Sequence, residues 1–280
     1  MAETKNIRRL VLPVHGMEST SNSKLRVKHS SNYKSLPSRV FMGKCNSAAA
    51  SLLTVVMVTA YSLASVPEKR QTSCAPIHLF VARVRTGEYP GDGSIGSLAQ
   101  LVINESSGTT QEAINYPGGS FPIYIDDVWT GITADTNEFT EYASCSNTTL
   151  MLIGYSQGAQ IILDALCSSG NAANGSTGSP TITTSQGKNI AAVVGHGDPG
   201  HVAGESWDEG TATTNGLSIY ARPAGACNAC ASVIHSYCNT GDPFCASGNN
   251  IMIHMEYPHT YNTQASQWIN QQLALMRRKP

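Results

Sequence analysis

Apolar and polar positions along the chain alternate between two periods. Ile77-His-Leu-Phe-Val-Ala82 is a short apolar run of the kind a fully buried strand requires, and it enters a Gly- and Pro-rich loop from Thr86 to Gly96. Leu98–Asn104 then takes helical spacing, Glu112–Tyr116 predicts a second short strand, and Ile125–Tyr142 is helical again. Thr149–Ile153 is a third strand that runs straight into Gly154, followed by helical periodicity over Ala159–Cys167. Beyond a Gly/Ser/Thr loop at 170–187, Ile190–Val194 predicts a fourth strand, Leu217–Tyr220 a fifth, and Ala265–Met276 a C-terminal helix. Strands alternating with helices predict a mostly parallel central sheet covered on both faces. With no internal repeat, the reading is one α/β domain over residues 71–280.

The first 70 residues read differently. Residues 1–41 are polar and basic without apolar periodicity, which predicts an unstructured extension and suggests that Met42 is the true initiator. Lys44 precedes an apolar run from Ala48 to Ala64 that ends in small residues, the pattern of a signal-peptide core. A signal-anchor helix is the rival reading, because the run approaches membrane-spanning length. Lys69-Arg70 is a dibasic processing site, so residues 42–70 read as signal peptide and short propeptide. Cysteine usage agrees with export: outside the signal segment stand Cys74, Cys145, Cys167, Cys227, Cys230, Cys238 and Cys245, enough for three bridges and one thiol. Sequons at Asn104, Asn147 and Asn174 fit a secreted, extracellular glycoprotein.

Charged residues make up only 13% of the chain, the net charge is −1, and no basic stripe occurs. Nothing there calls for a nucleic-acid partner. Cys227-x-x-Cys230 lacks a second CxxC or a matched His pair, so no metal is predicted, and no organic cofactor either.

The chemistry sits at Gly154-Tyr155-Ser156-Gln157-Gly158, a G-x-S-x-G with an apolar strand before it and a helix after it. That context is a nucleophile elbow at the carboxyl end of an α/β-hydrolase sheet, with the helix N-terminus facing an oxyanion. A serine hydroxyl needs a base, and in this architecture acid and His follow in that order. Spacing alone admits Asp242 with either His254 or His259.

From Cys74 to about Leu273 the chain resembles the fungal cutinase and acetylxylan esterase family, closer to the acetylxylan esterases. Glu112-Ala-Ile-Asn-Tyr-Pro117, the Ser156 pentapeptide, Gly197-Asp-Pro199, Ala221-Arg-Pro-Ala-Gly225, Ser236-Tyr-Cys238 and Asp242-Pro-Phe-Cys245 followed by His254-x-x-Tyr257 carry the likeness, in order. The resemblance implies a three-layer, lidless α/β-hydrolase that acts as a monomer without cofactor or membrane attachment. It assigns the acid to Asp242 and the base to His254, and implies bridges Cys74–Cys145 and Cys238–Cys245, with Cys167 joined to Cys227 or Cys230. Gln157 supplies one N–H of the oxyanion hole. The family usually shows Ala-Arg-x-Ser/Thr after the first strand where this chain has Ala82-Arg-Val-Arg-Thr86, so Arg85 or Thr86 supplies the other.

Tyr155, Phe244 and Tyr116 are candidate substrate contacts. The site loops carry a polar set of Thr86, Glu88, Tyr89, Asp92, Ser120 and Asn249, which points to an acetylated polysaccharide; the apolar Ile251-Met-Ile253 patch suits the alternative, a hydrophobic polyester. The Arg85 departure also leaves room for a secreted binding protein with weak catalysis. Protein recovered from the medium is expected to begin at or near Gln71. N-terminal sequencing that finds residues 1–41 intact rejects both the signal and the misassigned start.

Overall fold

A computed structural model describes residues 74–85, 91–120, 122–142, 144–167, 179–217 and 219–278, all within the unit that spans Ala64–Pro280. The extension, the signal segment, Thr86, Glu88, Tyr89 and Asn174 lie outside the described residues. Six strands, β1 (Ile77–Ala82), β2 (Thr109–Ala113), β3 (Thr149–Tyr155), β4 (Ile190–His196), β5 (Asp208–Gly210) and β6 (Ile234–Cys238), form one sheet in the order β2-β1-β3-β4-β6-β5, every pair parallel. The helices are α1 (Gly96–Glu105), α2 (Tyr124–Tyr142), α3 (Gln157–Cys167), the short α4 (Thr184–Gly187) and α5 (Ile251–Met255), and α6 (Tyr257–Met276).

β1 and β4 are buried along their whole length, as strands covered on both faces must be. Their side chains split by parity. Phe80, Ala82, Leu150, Leu152 and Val193 pack on α2 and α3, through Val128, Ile132, Phe139, Ile161 and Leu166. Leu79, Val81, Met151, Ile153, Tyr155 and Val194 pack on α1 and α6, through Leu98, Val102, Ala265 and Ile269. These are the three layers of the expected fold.

Two expectations need correction. The second strand runs Thr109–Ala113, not Glu112–Tyr116: its ladder with β1 begins at Ile77↔Thr109. As an edge strand it buries little and carries Thr, Thr, Gln and Glu, so it lacks the apolar signature of its neighbours. Leu217–Tyr220 is not a strand; the N–H groups of Tyr220 and Ala221 both donate to the Leu217 carbonyl and close a turn. The strands in that part of the chain are the three-residue β5 and the half-polar β6, neither of which stands out from its surroundings.

Three disulfides fasten this frame: Cys74–Cys145, Cys167–Cys227 and Cys238–Cys245. Cys230, among the described residues, is the free thiol, and burial raises its pKa. The first bridge closes a separation of 71 residues. Loop-closure entropy gives such a crosslink about 4 kcal/mol in the chain-entropy model.

His196 ends β4 fully buried, its ring centroid 5.3–6.4 Å from those of Tyr155, Tyr237 and Tyr257. Desolvation lowers its pKa from 6.5 to about 3, and that of the buried His78 to about 4. A base whose folded pKa lies below its unfolded one binds its proton more readily when unfolded. Its contribution to stability is therefore complete above about pH 6.5 and drains away as pH falls toward the folded value. Denaturant unfolding between pH 7 and 4 is expected to show a flatter pH dependence for His196→Phe than for the wild type, by up to about 1.4 kcal/mol per pH unit. Parallel curves for the two proteins would mean that His196 takes up its proton in the fold as readily as in the unfolded chain.

Candidate active site

Ser156 lies between the end of β3 and the first residue of α3, with φ of 56°. An L-residue in that region is strained by about 1–2 kcal/mol, and the surroundings must hold it there. The Ser156 N–H donates to the His196 carbonyl of the neighbouring strand at 2.7 Å, and the Ser156 carbonyl accepts from the Gln160 N–H at 3.0 Å. The flanking glycines are steric necessities. A Cβ on Gly154 would lie 2.7 Å from Gly158 backbone, and one on Gly158 would lie 2.1 Å from the Ala82 carbonyl oxygen of β1. Helix α3 therefore approaches the sheet closely enough to turn the serine outward.

The loop after β6 and helix α5 bring the other two groups. Asn250 caps α5, its side chain accepting from the Met252 N–H, and His254 sits in the helix's last turn. His254 Nε2 is 2.9 Å from Ser156 Oγ, and Nδ1 is 2.8 Å from Asp242 Oδ2. Asp242 is fully buried; its other oxygen accepts from the N–H groups of Phe244 at 2.7 Å and Cys245 at 3.1 Å. Burial alone would raise this carboxyl, but the His254 hydrogen bond and charge and the two backbone donors outweigh it and hold the pKa below the usual value. The Cys238–Cys245 bridge spans this loop. Tyr155 donates its hydroxyl proton to the His254 carbonyl, and the Phe244 ring lies edge-on to the imidazole with centroids 4.5 Å apart.

Ser156 and His254 open onto a cavity of about 250 Å³. Its walls are Val84, Arg85, Tyr124, Pro199, Leu217, Tyr220, Phe244, Ile251 and Met255. The structure thus brings Ser156, His254, Asp242, Phe244 and Arg85 together, with Gln157 at the start of α3 beside them. It does not place Tyr116 or Tyr155 on the cavity. Tyr116 is buried, its hydroxyl donating to the Arg83 carbonyl and its own carbonyl accepting from the Arg83 guanidinium. Tyr155 faces the α1/α6 side and supports His254 from behind. Of the expected polar rim, Asp92, Ser120 and Asn249 do not line the cavity, and among the described residues its walls are mainly apolar.

Leu217, Tyr220, Tyr124 and Pro199 are wall residues that sequence reading passed over, because only the fold gathers them. The nearest signal was Gly197-Asp-Pro199, a turn-forming segment at the end of a buried strand, where α/β sheets place ligands. His259 is exposed on α6, His235 stacks on Trp268, and His201 lies 3.5 Å from Asp208. Among the described residues no three His, Cys, Asp or Glu side chains gather into a set that could hold a metal ion, and no helix is long and apolar enough to cross a membrane.

The family model named Cutinase matches residues 73–273. The chain belongs to the cutinase family. It is 37% identical to an acetylxylan esterase of Hypocrea jecorina over 79% of this chain and 76% of that protein, and 37% identical to acetylxylan esterase 2 of Talaromyces purpureogenus, over 80% and 97%. Cutinase 11 of Verticillium dahliae is 36% identical over 72% and 70%. Among solved structures, the catalytic core domain of acetyl xylan esterase from Trichoderma reesei superposes with a TM-score of 0.67 at 38% identity, covering 71% of this chain and all of that one. This cutinase-family chain is a carboxylic ester hydrolase, and the binding-protein reading is set aside.

Replacing His254 by Ala is expected to remove turnover of p-nitrophenyl acetate by a factor on the order of 10⁶, as loss of a general base does. His259→Ala keeps most of it, because that ring is exposed on α6 away from Ser156. Steady-state kinetics of the two variants side by side decide the point, and the opposite ranking overturns it.

Proposed function

We propose that this enzyme is a secreted serine esterase acting through a Ser156–His254–Asp242 triad on acetyl esters of plant cell-wall polysaccharide. The observation that carries the triad is the hydrogen-bonded chain from Ser156 Oγ through both imidazole nitrogens to Asp242, ending at the cavity. His254 Nε2 takes the hydroxyl proton as Oγ attacks the ester carbonyl, and Asp242 orients the ring and stabilises the imidazolium. The oxyanion is met by the Gln157 N–H at the positive end of α3 and by a second donor at Arg85 or Thr86. His254 returns the proton to the leaving alcohol, and water then hydrolyses the acyl-enzyme by the same steps reversed in role. The Arg85 side chain is bound to Ser120 Oγ at 2.9 Å, so its contribution to the hole is a backbone one.

The acetyl preference is supported by the relatives named acetylxylan esterases and by the Phe244 ring, a cavity wall that crowds the imidazole and narrows the space beside Ser156. Export is supported by the three disulfides, which persist in oxidising compartments. Asn104 and Asn147 are exposed and accessible to glycosylation. A polyester substrate is the second reading, and one observation favours it. Ile251, Met252 and Met255 of α5 are exposed beside the cavity, as are Ile123 and Ile219, each next in sequence to a wall tyrosine. Acyl preference separates the two. The catalytic efficiency on p-nitrophenyl acetate is expected to exceed that on the octanoate, with acetate released from acetylated xylan. A ratio below one without acetate release rejects the polysaccharide reading in favour of the polyester.

A further inference from the structure

Gly197-Asp-Pro199 and Ala221-Arg-Pro-Ala-Gly225 add no atom to the hydrogen-bonded chain of the site, yet they meet in the interior. Arg222, its side chain 6% exposed, reaches between two elements. On one side its Nε lies 2.7 Å from Asp164 Oδ1 and its Nη2 donates to the Gln160 carbonyl at 3.2 Å, both residues on α3, the helix that starts beside Ser156. On the other side its Nη1 donates to Asp198 Oδ2 and its Nη2 to Asp198 Oδ1 at 3.3 Å, in the turn after β4. Its own N–H bonds to the Gly200 carbonyl at 3.2 Å, and a Cβ on Gly200 would lie 3.0 Å from the guanidinium. Asp198 Oδ1 also accepts from the Gly200 N–H at 2.9 Å, which closes the turn around the arginine.

That turn touches the site at two points. Gly197 has φ of 61°, and a Cβ there would lie 2.9 Å from His254 Cε1, so the backbone backs directly onto the imidazole. Pro199 is a cavity wall, and so is Tyr220, two residues before the arginine. Buried ion pairs are a weak source of net stability, but the planar guanidinium fork is a strong directional constraint. The guanidinium here spans the helix that presents the nucleophile and the turn that backs the base.

We infer that Arg222 is a positioning residue for ester hydrolysis at Ser156, fixing the distance between α3 and the Asp198–Gly200 turn and hence the seat of His254. The inference rests on the triad reading above. Lys at this position keeps the charge and loses the fork. Arg222→Lys is expected to lower kcat on p-nitrophenyl acetate, and the rate at which diethyl p-nitrophenyl phosphate labels Ser156, by about tenfold or more, as small misplacements of reacting groups do. Asp198→Asn, which keeps the Arg222–Asp164 pair, and Gly200→Ala, which presses a methyl on the guanidinium, are expected to fall in the same direction. All are read per folded molecule, with a thermal melt to show that the assay temperature lies below the transition. A lower melting temperature with kcat and labelling within about twofold of wild type would make Arg222 merely structural and overturn the inference. If Arg222→Lys is not recovered folded, the other two carry the same decision. Ser156→Ala and His254→Ala run alongside: full activity in either sinks the triad reading, whereas dead controls beside an unaffected Arg222→Lys sink the positioning role alone.

Discussion

A serine at positive φ between a strand and a helix can persist only if the helix comes very close to the sheet, and that approach organises this molecule. Gly158 lies against the Ala82 carbonyl of β1, and Gly154 against Gly158, so that no side chain keeps α3 away from the strands. The neighbouring strand contributes directly, since the His196 carbonyl holds the Ser156 N–H. With Ser156 so fixed, the groups hydrogen-bonded to it need only be delivered to the carboxyl end of a parallel sheet. β6 delivers Asp242 and β4 delivers the turn behind His254.

Two buried aspartates are shifted in opposite directions by their surroundings. Asp242 accepts from His254, Phe244 and Cys245, and these bonds outweigh burial and keep it an anion. For Asp164 burial is the larger influence, and it pushes the carboxyl up to about 7 although Arg222 and Gln160 oppose it. The His254 hydrogen bond and charge do most to hold Asp242 down, with the backbone N–H groups of a disulfide-closed loop adding to them, while Asp164 shares one guanidinium with Asp198.

How much was legible in the sequence follows from how local each signal is. β1 and β3 announce themselves as apolar runs, and Ser156 as a turn between strand and helix. The Thr-rich β2 and the brief β5 do not, because an edge strand needs neither two buried faces nor length. His254 and His259 were equivalent by spacing and came apart only through resemblance; in the structure α5 turns one inward while α6 leaves the other exposed. Tyr116 and Tyr155 lay beside the right motifs but are taken up in supporting contacts, the first with Arg83 and the second with the His254 carbonyl. The cavity walls were illegible for a plainer reason: Val84, Tyr124, Pro199 and Tyr220 are joined by tertiary approach alone.

The all-parallel sheet also sets an order on how the chain can assemble as it is made. No two strands here can pair through a local hairpin, because every parallel neighbour lies across a crossover. β1 stays without its partner β3 until the whole of α2 has emerged, and the Cys74–Cys145 bridge ties just that stretch together. β6 and the loop bearing Asp242 come later still, with His254 after them. Ser156 and a growing sheet edge therefore precede His254 in synthesis, and the hydrogen-bonded site is assembled only once α5 has emerged. For a carboxylic ester hydrolase, that order keeps the site unassembled until the strands that carry it are in place.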